Sequence, residues 1–234
     1  MTPRPYSAPA PGVQPPYLHP DYKSTIGRAP KRALYKLPQT LSEVTGPRFD
    51  TAWHDGERTD MTRWENGEAQ GQRIILAGRV LDEDGRPVPR TLLEIWQCNA
   101  AGRYRHERDQ HDAPLDPHFR GVGQVVTNEQ GEWRVLTIRP GAYPWRNTHN
   151  AWRAAHIHFS IFGPAFATRL VTQMYFPGDP LIPADPIINS VPDQKAREGM
   201  VCSYDPDLSE AEYAMGYRWD IVLRGRDATP TERA

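Results

Sequence analysis

Two histidines stand two residues apart in the segment His156-Ile-His-Phe-Ser-Ile161. Polar and apolar residues alternate there, which predicts a strand with His156 and His158 on one face. Two residues along a strand span about 6.6 Å, a separation that two imidazoles can close to meet one metal ion. The pattern leaves two interpretations open. It is typical of a metal-binding pair, but also of a half-buried strand with a polar outer face.

The segment holds neither a carboxylate nor a third histidine, so further ligands must come from elsewhere in the chain. Two long polar loops, 101–120 and 139–150, supply Tyr104 and Tyr143, each close to a glycine or a proline. A phenol with an ordinary pKa of about 10 binds a metal well only as phenolate. This hard anionic oxygen suits ferric iron better than zinc or ferrous iron. The alternative for each tyrosine is an amphipathic loop residue that packs on the end of the fold.

The first of these loops also holds a second group of possible ligands. His106 and His111 lie there with Asp109 and Asp112. Because their spacing matches no regular element, we predict that they are solvated. The sequence does not decide whether this loop, or His149 in the second loop, shapes the entrance to a site.

Short strands must position these side chains. Enrichment in β-branched and large apolar residues predicts strands at 73–80, 91–98, 123–127, 133–138, 155–162, 169–176 and 217–223. Turn residues separate them, and helix is limited to short pieces near 193–198 and 209–215, where Ser209 could cap. We therefore predict an all-β fold, an antiparallel sandwich with long loops and a proline-rich N-terminal arm.

The arm is predicted from the first twenty residues, which hold seven prolines and no helical or strand period. It is either a disordered tail or a segment laid across a partner subunit. We expect one domain overall, in which 1–70 form the arm and its lead-in and 71–234 form the catalytic sandwich.

Composition excludes several classes of protein. The 234 residues carry a net charge of -1, which gives no general attraction for nucleic acid or an anionic membrane. No segment approaches the ~20 apolar residues of a membrane span, and no secretory signal is visible, so the prediction is a cytoplasmic protein. Cys98 and Cys202 suggest neither a disulfide scaffold nor a thiolate zinc site, and we expect them to be reduced and buried.

Longer motifs surround the tyrosines and histidines. They are Gly102-Arg-Tyr104, Gly141-Ala-Tyr-Pro-Trp-Arg-Asn147, Trp152-Arg-Ala-Ala-His-Ile-His-Phe159, Thr172-Gln-Met-Tyr-Phe176, Gly178-Asp-Pro-Leu-Ile-Pro183 and Asp220-Ile-Val-Leu-Arg-Gly225. Over most of residues 20–225 the chain thereby resembles the intradiol ring-cleavage dioxygenases. Among these it is most similar to the β subunits of the protocatechuate-cleaving enzymes.

The resemblance implies a non-haem Fe(III) enzyme that cleaves protocatechuate with dioxygen to 3-carboxy-cis,cis-muconate. The positions that match the family's iron ligands are Tyr104, Tyr143, His156 and His158. The positions that match its catalytic residues are Arg153, Tyr143 and Gln173. The positions that match its substrate-binding residues are Tyr22, Trp145 and Ile187.

The resemblance also implies a partner, the α subunit, in a hetero-oligomer of αβ units, since the family places part of the substrate carboxylate site on the α chain. The first 70 residues are too short and too proline-rich for the helical N-terminal domain of a catechol 1,2-dioxygenase. Two alternatives stay open. One is an intradiol dioxygenase for another catechol, such as catechol or hydroxyquinol. The other is a non-catalytic β-sandwich binding module, such as a transthyretin-like or carbohydrate-binding domain.

Overall fold

The computed structural model describes residues 9–35, 57–162 and 169–232. Its strands are β1 (Arg63–Trp64), β2 (Gly67–Glu68), β3 (Arg73–Leu81), β4 (Leu92–Trp96), β5 (Val122–Val126), β6 (Glu132–Ile138), β7 (Tyr143–Pro144), β8 (Trp152–Arg153), β9 (His156–Phe162), β10 (Arg169–Tyr175), β11 (Ser203–Tyr204), β12 (Met215–Arg218) and β13 (Ile221–Val222). The helices are α1 (Ser24–Arg28) and α2 (Gln194–Glu198), with 3₁₀ turns at Ile182–Ala184 and Ile188–Ser190.

Two larger sheets form the body of the described chain. The first has four antiparallel strands in the order β10-β9-β4-β5. The second has five strands, with β11, β12, β3 and β13 in order and β6 also paired to β3. One hydrophobic core joins residues of both sheets, including Leu76 and Val135 of the second and Leu93, Ile157 and Phe159 of the first. This arrangement confirms the predicted all-β sandwich.

The predicted strands agree with the observed ones to within one or two residues, except near the C-terminus. There a single strand at 217–223 was predicted, and this is wrong because the segment forms two strands. The first, β12, ends at Arg218, and the second, β13, begins at Ile221. Both pieces pair with β3 in parallel, so the sheet is mixed. Asp220 lies in the gap, where its side chain accepts a hydrogen bond from the backbone N–H of Arg79 at 2.8 Å.

One of the two predicted helices is confirmed. Asp193 caps α2 by accepting a hydrogen bond from the backbone N–H of Ala196 at 2.8 Å. The helix predicted near 209–215 is wrong, because this segment forms a turn closed between Glu210 and Ala214. The Ser209 hydroxyl accepts a hydrogen bond from the backbone N–H of Gly216 at 2.8 Å, so it closes a loop instead of capping a helix.

The described part of the N-terminal arm lies against its own chain. Backbone hydrogen bonds join Ala10 to Arg226 at 3.2 Å and Gly12 to Asp193 at 3.0 Å. A disordered tail is therefore wrong for this part, whereas contact with a partner subunit stays a prediction. Residues 1–8 and 36–56 of the predicted arm and lead-in lie outside the described residues.

Two smaller predictions concern the thiols and membrane insertion. Cys98 and Cys202 are both buried, as predicted, and both are free. Within the described residues, no helix has the length and apolar character needed to cross a membrane.

Candidate active site

The two predicted histidines lie on β9 between two neighbouring strands. Directly opposite His158 are Trp96 of β4 and Gln173 of β10, and opposite His156 is Tyr175. Opposed residues of an antiparallel pair share a face, so all five side chains lie on the face turned away from the core. His156 is 1% exposed and His158 is 9% exposed. The alternative of a half-buried strand with a solvated polar face is therefore wrong.

Each imidazole is oriented through its Nδ1 atom. Nδ1 of His156 lies 2.6 Å from the backbone oxygen of Ala154, and Nδ1 of His158 lies 3.1 Å from Oε2 of Glu232. A carbonyl or carboxylate oxygen accepts hydrogen bonds, so Nδ1 is assigned as the donor of each ring, and Nε2 is the nitrogen left to face the tyrosine hydroxyls and bind a metal. Burial and then the charge of Arg153 hold the pKa of His156 well below its ordinary value, which favours the neutral ring.

The two long loops bring one tyrosine to each histidine. The hydroxyl oxygen of Tyr104 lies 3.1 Å from Nε2 of His158, and that of Tyr143 lies 3.3 Å from Nε2 of His156. The two phenol rings meet edge to face, with centroids 5.4 Å apart. The four side chains singled out from the sequence thus converge on one point.

The crossing of the two loops requires glycine. Gly102 has φ +78°, and a Cβ atom there would collide with the backbone oxygen of Ala142, one residue before Tyr143. Asn99 shapes the same turn, since its Oδ1 accepts hydrogen bonds from two backbone N–H groups, including that of Arg103 at 2.9 Å. The backbone N–H of Tyr104 then donates to Asp109, at 2.7 Å. The loop conformation therefore determines where the Tyr104 hydroxyl lies.

The donor set is suited to a strongly Lewis-acidic cation. Burial raises the pKa of Tyr143 to about 12 and raises the pKa of Tyr104 well above its ordinary value. Both phenols therefore keep their protons at neutral pH unless such a cation replaces them. Within the described residues, no group of three or more His, Cys, Asp or Glu side chains is arranged to hold a metal ion. A metal at this point would need the phenolate oxygens, and two of these with two imidazoles fit ferric iron.

A buried arginine stands beside the four side chains. Arg153 is 2% exposed, and its Nη1 lies 3.4 Å from the hydroxyl oxygen of Tyr143. Its guanidinium carbon lies 5.0 Å from the ring centroid of Trp145. Burial opposes the charge, but the neighbouring Tyr175 and Asp185 raise the pKa of Arg153 well above its ordinary value. The guanidinium is therefore a fixed cation next to Tyr143.

Two residues that hold Arg153 were missed from the sequence. Nε of Arg153 donates to Oδ2 of Asp185 at 2.7 Å, and Nη2 donates to the Tyr175 hydroxyl at 3.0 Å. Nη2 also donates to Oε1 of Gln173, which was predicted. Asp185 is itself held by the backbone N–H of Ile187 at 3.0 Å. An aspartate within an otherwise apolar segment after a buried strand was the available signal.

The third missed residue is Glu232, the partner of His158. Burial raises the pKa of this carboxyl, but the hydrogen bond and charge of His158 hold it below its ordinary value. Glu232 is 74 residues from His158 in the sequence, so no local pattern could have indicated the contact.

An open cavity of about 910 Å³ leads to this group. Tyr104, Tyr143 and His158 line it, together with the aromatic side chains of Trp96 and Trp145. Catechol-sized molecules fit in such a volume.

The loop left undecided by the sequence lines the same cavity through residues 106 and 108–112. His106 is exposed, as the predicted solvation requires. His111 is half-buried, so the predicted solvation holds for it only in part. Its ring meets that of Trp152 edge to face, with centroids 6.5 Å apart. His149 is exposed, with Nε2 3.9 Å from Asp21 of the N-terminal arm.

The predicted substrate-binding residues are placed differently from one another. Trp145 lines the cavity. Tyr22 packs on Trp145 with ring centroids 5.1 Å apart, so the N-terminal arm reaches the wall of the cavity. Ile187 and Gln173 are both buried, and neither of them lines the cavity.

Comparison with known families agrees with this site. Residues 44–225 match the family described as Dioxygenase, and residues 7–40 match the family described as Protocatechuate 3,4-dioxygenase beta subunit N terminal. The chain belongs to the intradiol ring-cleavage dioxygenases. The resemblance noted in the sequence is thereby confirmed, and the non-catalytic binding module is not supported.

Curated members of this dioxygenase family align over most of the chain. The protocatechuate 3,4-dioxygenase beta chain of Burkholderia cepacia is 51% identical over 100% of this chain and 97% of its own. The alpha chain of Pseudomonas putida is 28% identical over 82% of this chain and 95% of its own. Catechol 1,2-dioxygenase of Candida albicans is 30% identical over 83% of this chain and 66% of its own.

Solved structures of the family share the fold. The 3-chlorocatechol 1,2-dioxygenase of Rhodococcus opacus 1CP superposes with a TM-score of 0.54 and 25% identity, over 70% of this chain and 64% of its own. The hydroxyquinol 1,2-dioxygenase of Pseudomonas putida DLL-E4 has a TM-score of 0.55 and 22% identity, over 89% of this chain and 71% of its own.

Proposed function

We propose that this chain is the iron-bearing β subunit of an intradiol dioxygenase that cleaves protocatechuate with dioxygen to 3-carboxy-cis,cis-muconate. Its non-haem ferric ion would be held by Tyr104, Tyr143, His156 and His158. The observation that carries the proposal is the approach of each tyrosine hydroxyl to a histidine Nε2, at 3.1 and 3.3 Å, beside a cavity that both tyrosines line.

A bound ferric ion would supply the Lewis acid that takes up a catecholate and makes its ring reactive towards dioxygen. Tyr143 would hold a proton taken from the substrate on its phenol oxygen. Burial favours this, because it raises the pKa of that phenol to about 12. Tyr104 and the two histidines of β9 would keep the site assembled while Tyr143 exchanges its proton.

Arg153 would stabilise negative charge that develops on the substrate ring. Its guanidinium is fixed before any substrate arrives, since it donates hydrogen bonds to Asp185, Tyr175 and Gln173. A fixed, buried cation stabilises charge without the cost of reorienting solvent. Gln173 would act through Arg153, and Trp145 would cover the substrate from the cavity wall.

The identity of the substrate rests on the match to the beta chain of Burkholderia cepacia and on the beta-subunit N-terminal match. The cavity wall carries the cationic side chains of Arg108 and Arg146, which suit a substrate carboxylate. Cleavage of catechol or hydroxyquinol is the alternative, because members with both names align with the chain. Rates on protocatechuate, catechol and hydroxyquinol, measured side by side, distinguish them.

The partner would be an α subunit, in a hetero-oligomer of αβ units. Relatives called alpha chain and beta chain both align with this sequence, which supports a pair of similar subunits. The division into an arm at 1–70 and a catalytic sandwich at 71–234 is part of the same proposal, and the cytoplasmic location stays a prediction from the sequence. Activity of this chain purified alone as a monomer would contradict the proposed partnership.

The deciding experiment combines iron analysis with visible absorption of the chain purified together with its α partner. We expect a broad phenolate-to-iron absorption band that shifts when protocatechuate is added without oxygen. On admission of oxygen, mass spectrometry is expected to show the ring-opened tricarboxylate 3-carboxy-cis,cis-muconate. A colourless protein that takes up no ferric iron would contradict the proposal.

A further inference from the structure

Glu232 approaches the site from behind His158, on the side away from the cavity. Its Oε2 lies 3.1 Å from Nδ1 of His158. The side chain of Glu232 is 9% exposed, and the side chain of His158, taken without its backbone, is 11% exposed. The other nitrogen of the ring, Nε2, is the atom that lies 3.1 Å from the Tyr104 hydroxyl. The carboxylate therefore stands where it can fix both the tautomer and the orientation of the imidazole.

The segment that carries Glu232 is fastened by two other parts of the chain. The backbone N–H of Glu232 donates to the oxygen of Val171 in β10 at 2.7 Å. Gln14 of the N-terminal arm accepts from the backbone N–H of Thr231 at 2.8 Å and donates to the oxygen of Thr229 at 3.3 Å. The arm and the sheet together determine where the carboxylate lies.

We propose that Glu232 is a positioning residue of the metal centre, which holds His158 in its metal-binding orientation, and that Gln14 secures the segment that carries it. The inference rests on the proposed ferric site. A carboxylate that accepts from the far nitrogen of a ligating histidine commonly changes metal affinity by about 10- to 100-fold. For His156 the backbone oxygen of Ala154 does the same task, so only His158 depends on a side chain for this contact among the described residues.

The experiment compares iron loss in wild type, Glu232→Gln and Glu232→Leu, each purified with its α partner and loaded with ferric iron. We expect Glu232→Leu to lose iron to a chelator about 10- to 100-fold faster, with a shifted visible band. Glu232→Gln keeps an acceptor oxygen, so its rate of iron loss should lie between those of the wild type and Glu232→Leu. Gln14→Ala should change iron loss in the same direction by a smaller factor.

The matched control is Asp227→Asn. It lies in the same segment, in an exposed ion pair with Lys195 at 2.8 Å, and contacts no side chain of the site. We expect wild-type iron loss. An equal increase in this control would show that the segment matters only as structure, which overturns the inference.

Two outcomes separate this inference from the function on which it rests. If the wild type takes up no ferric iron, the proposed function fails. If the wild type takes up iron and Glu232→Leu keeps it equally well, only the positioning role is refuted. Should the leucine variant not fold, as judged by circular dichroism without iron, Glu232→Asp decides, because the shorter side chain should still speed iron loss and an unchanged rate rejects the role.

Discussion

The ion pair between Arg153 and Asp185 offers the sharpest test of how the site is built. The two side chains are 2% and 0% exposed, and Nε donates to Oδ2 at 2.7 Å. Removing one member of such a pair leaves a buried charge without its partner, which typically costs about 3–5 kcal/mol. For a chain of this size, that corresponds to a fall of roughly 6 to 20 °C in Tm.

The perturbation is Asp185→Leu, and the assay is denaturant unfolding of the metal-free protein, because bound iron would add its own stabilisation. We expect the free energy of unfolding to fall by about 3–5 kcal/mol. The double variant Arg153→Met with Asp185→Leu removes both charges and should recover a large part of this loss. Asp227→Asn breaks an exposed ion pair and should change little.

The coupling between the two substitutions decides the outcome. A double-mutant cycle compares the double variant with the sum of the two single variants. For residues in direct contact, such cycles give interaction energies of about 0.5–3 kcal/mol. A loss below about 1 kcal/mol for Asp185→Leu, or a double variant equal to the sum of the single ones, would refute the idea that the carboxylate compensates the buried guanidinium.

Three further predictions concern the iron site. Tyr104→Phe removes an anionic ligand, so iron analysis should show loss of metal and of the visible band, and full occupancy with normal colour would reject the ligand. Arg153→Met should keep iron but lower kcat by about 10²- to 10³-fold, and a wild-type rate would remove this residue from the reaction. Gly102→Ala would collide with the oxygen of Ala142, so iron retention and Tm should both fall. Gly85→Ala shares a positive φ but meets nothing within 4 Å, so it should lower Tm less and leave iron in place, and equal effects of the two would contradict the loop-crossing argument.

Local composition, turn residues and, at His156–Ile161, alternation made most of the fold predictable. The strand that carries His156 and His158 was correct to one residue, since period-two alternation is a local property that needs no knowledge of neighbours. The same reasoning failed at 209–215, where the Ser209 hydroxyl and the backbone of Gly216 form a turn that local helix signals do not reveal. It also failed to divide the strand predicted at 217–223.

The candidate site was predictable in its ligand types and only partly in its supports. Tyr104 and Tyr143 were selected from chemistry and resemblance, and the structure brings them to the two histidines. Asp185, Tyr175 and Glu232 were missed, because buried charge compensation depends on which segments the fold brings together. The role of Ile187 beside the substrate stays a prediction, and in the structure its backbone N–H donates to Asp185.

The sequence by itself determined the strand order along the chain, the shared face of the two histidines and the family motifs, because each depends on neighbouring residues. The tertiary structure alone decided that β9 is buried on both faces, that Gly102 lets two loops cross, and that Glu232 stands behind His158. These features depend on contacts between residues far apart in the chain. Such contacts follow from how the two sheets pack and how the N-terminal arm and the segment that carries Glu232 are fastened, and no local pattern encodes either.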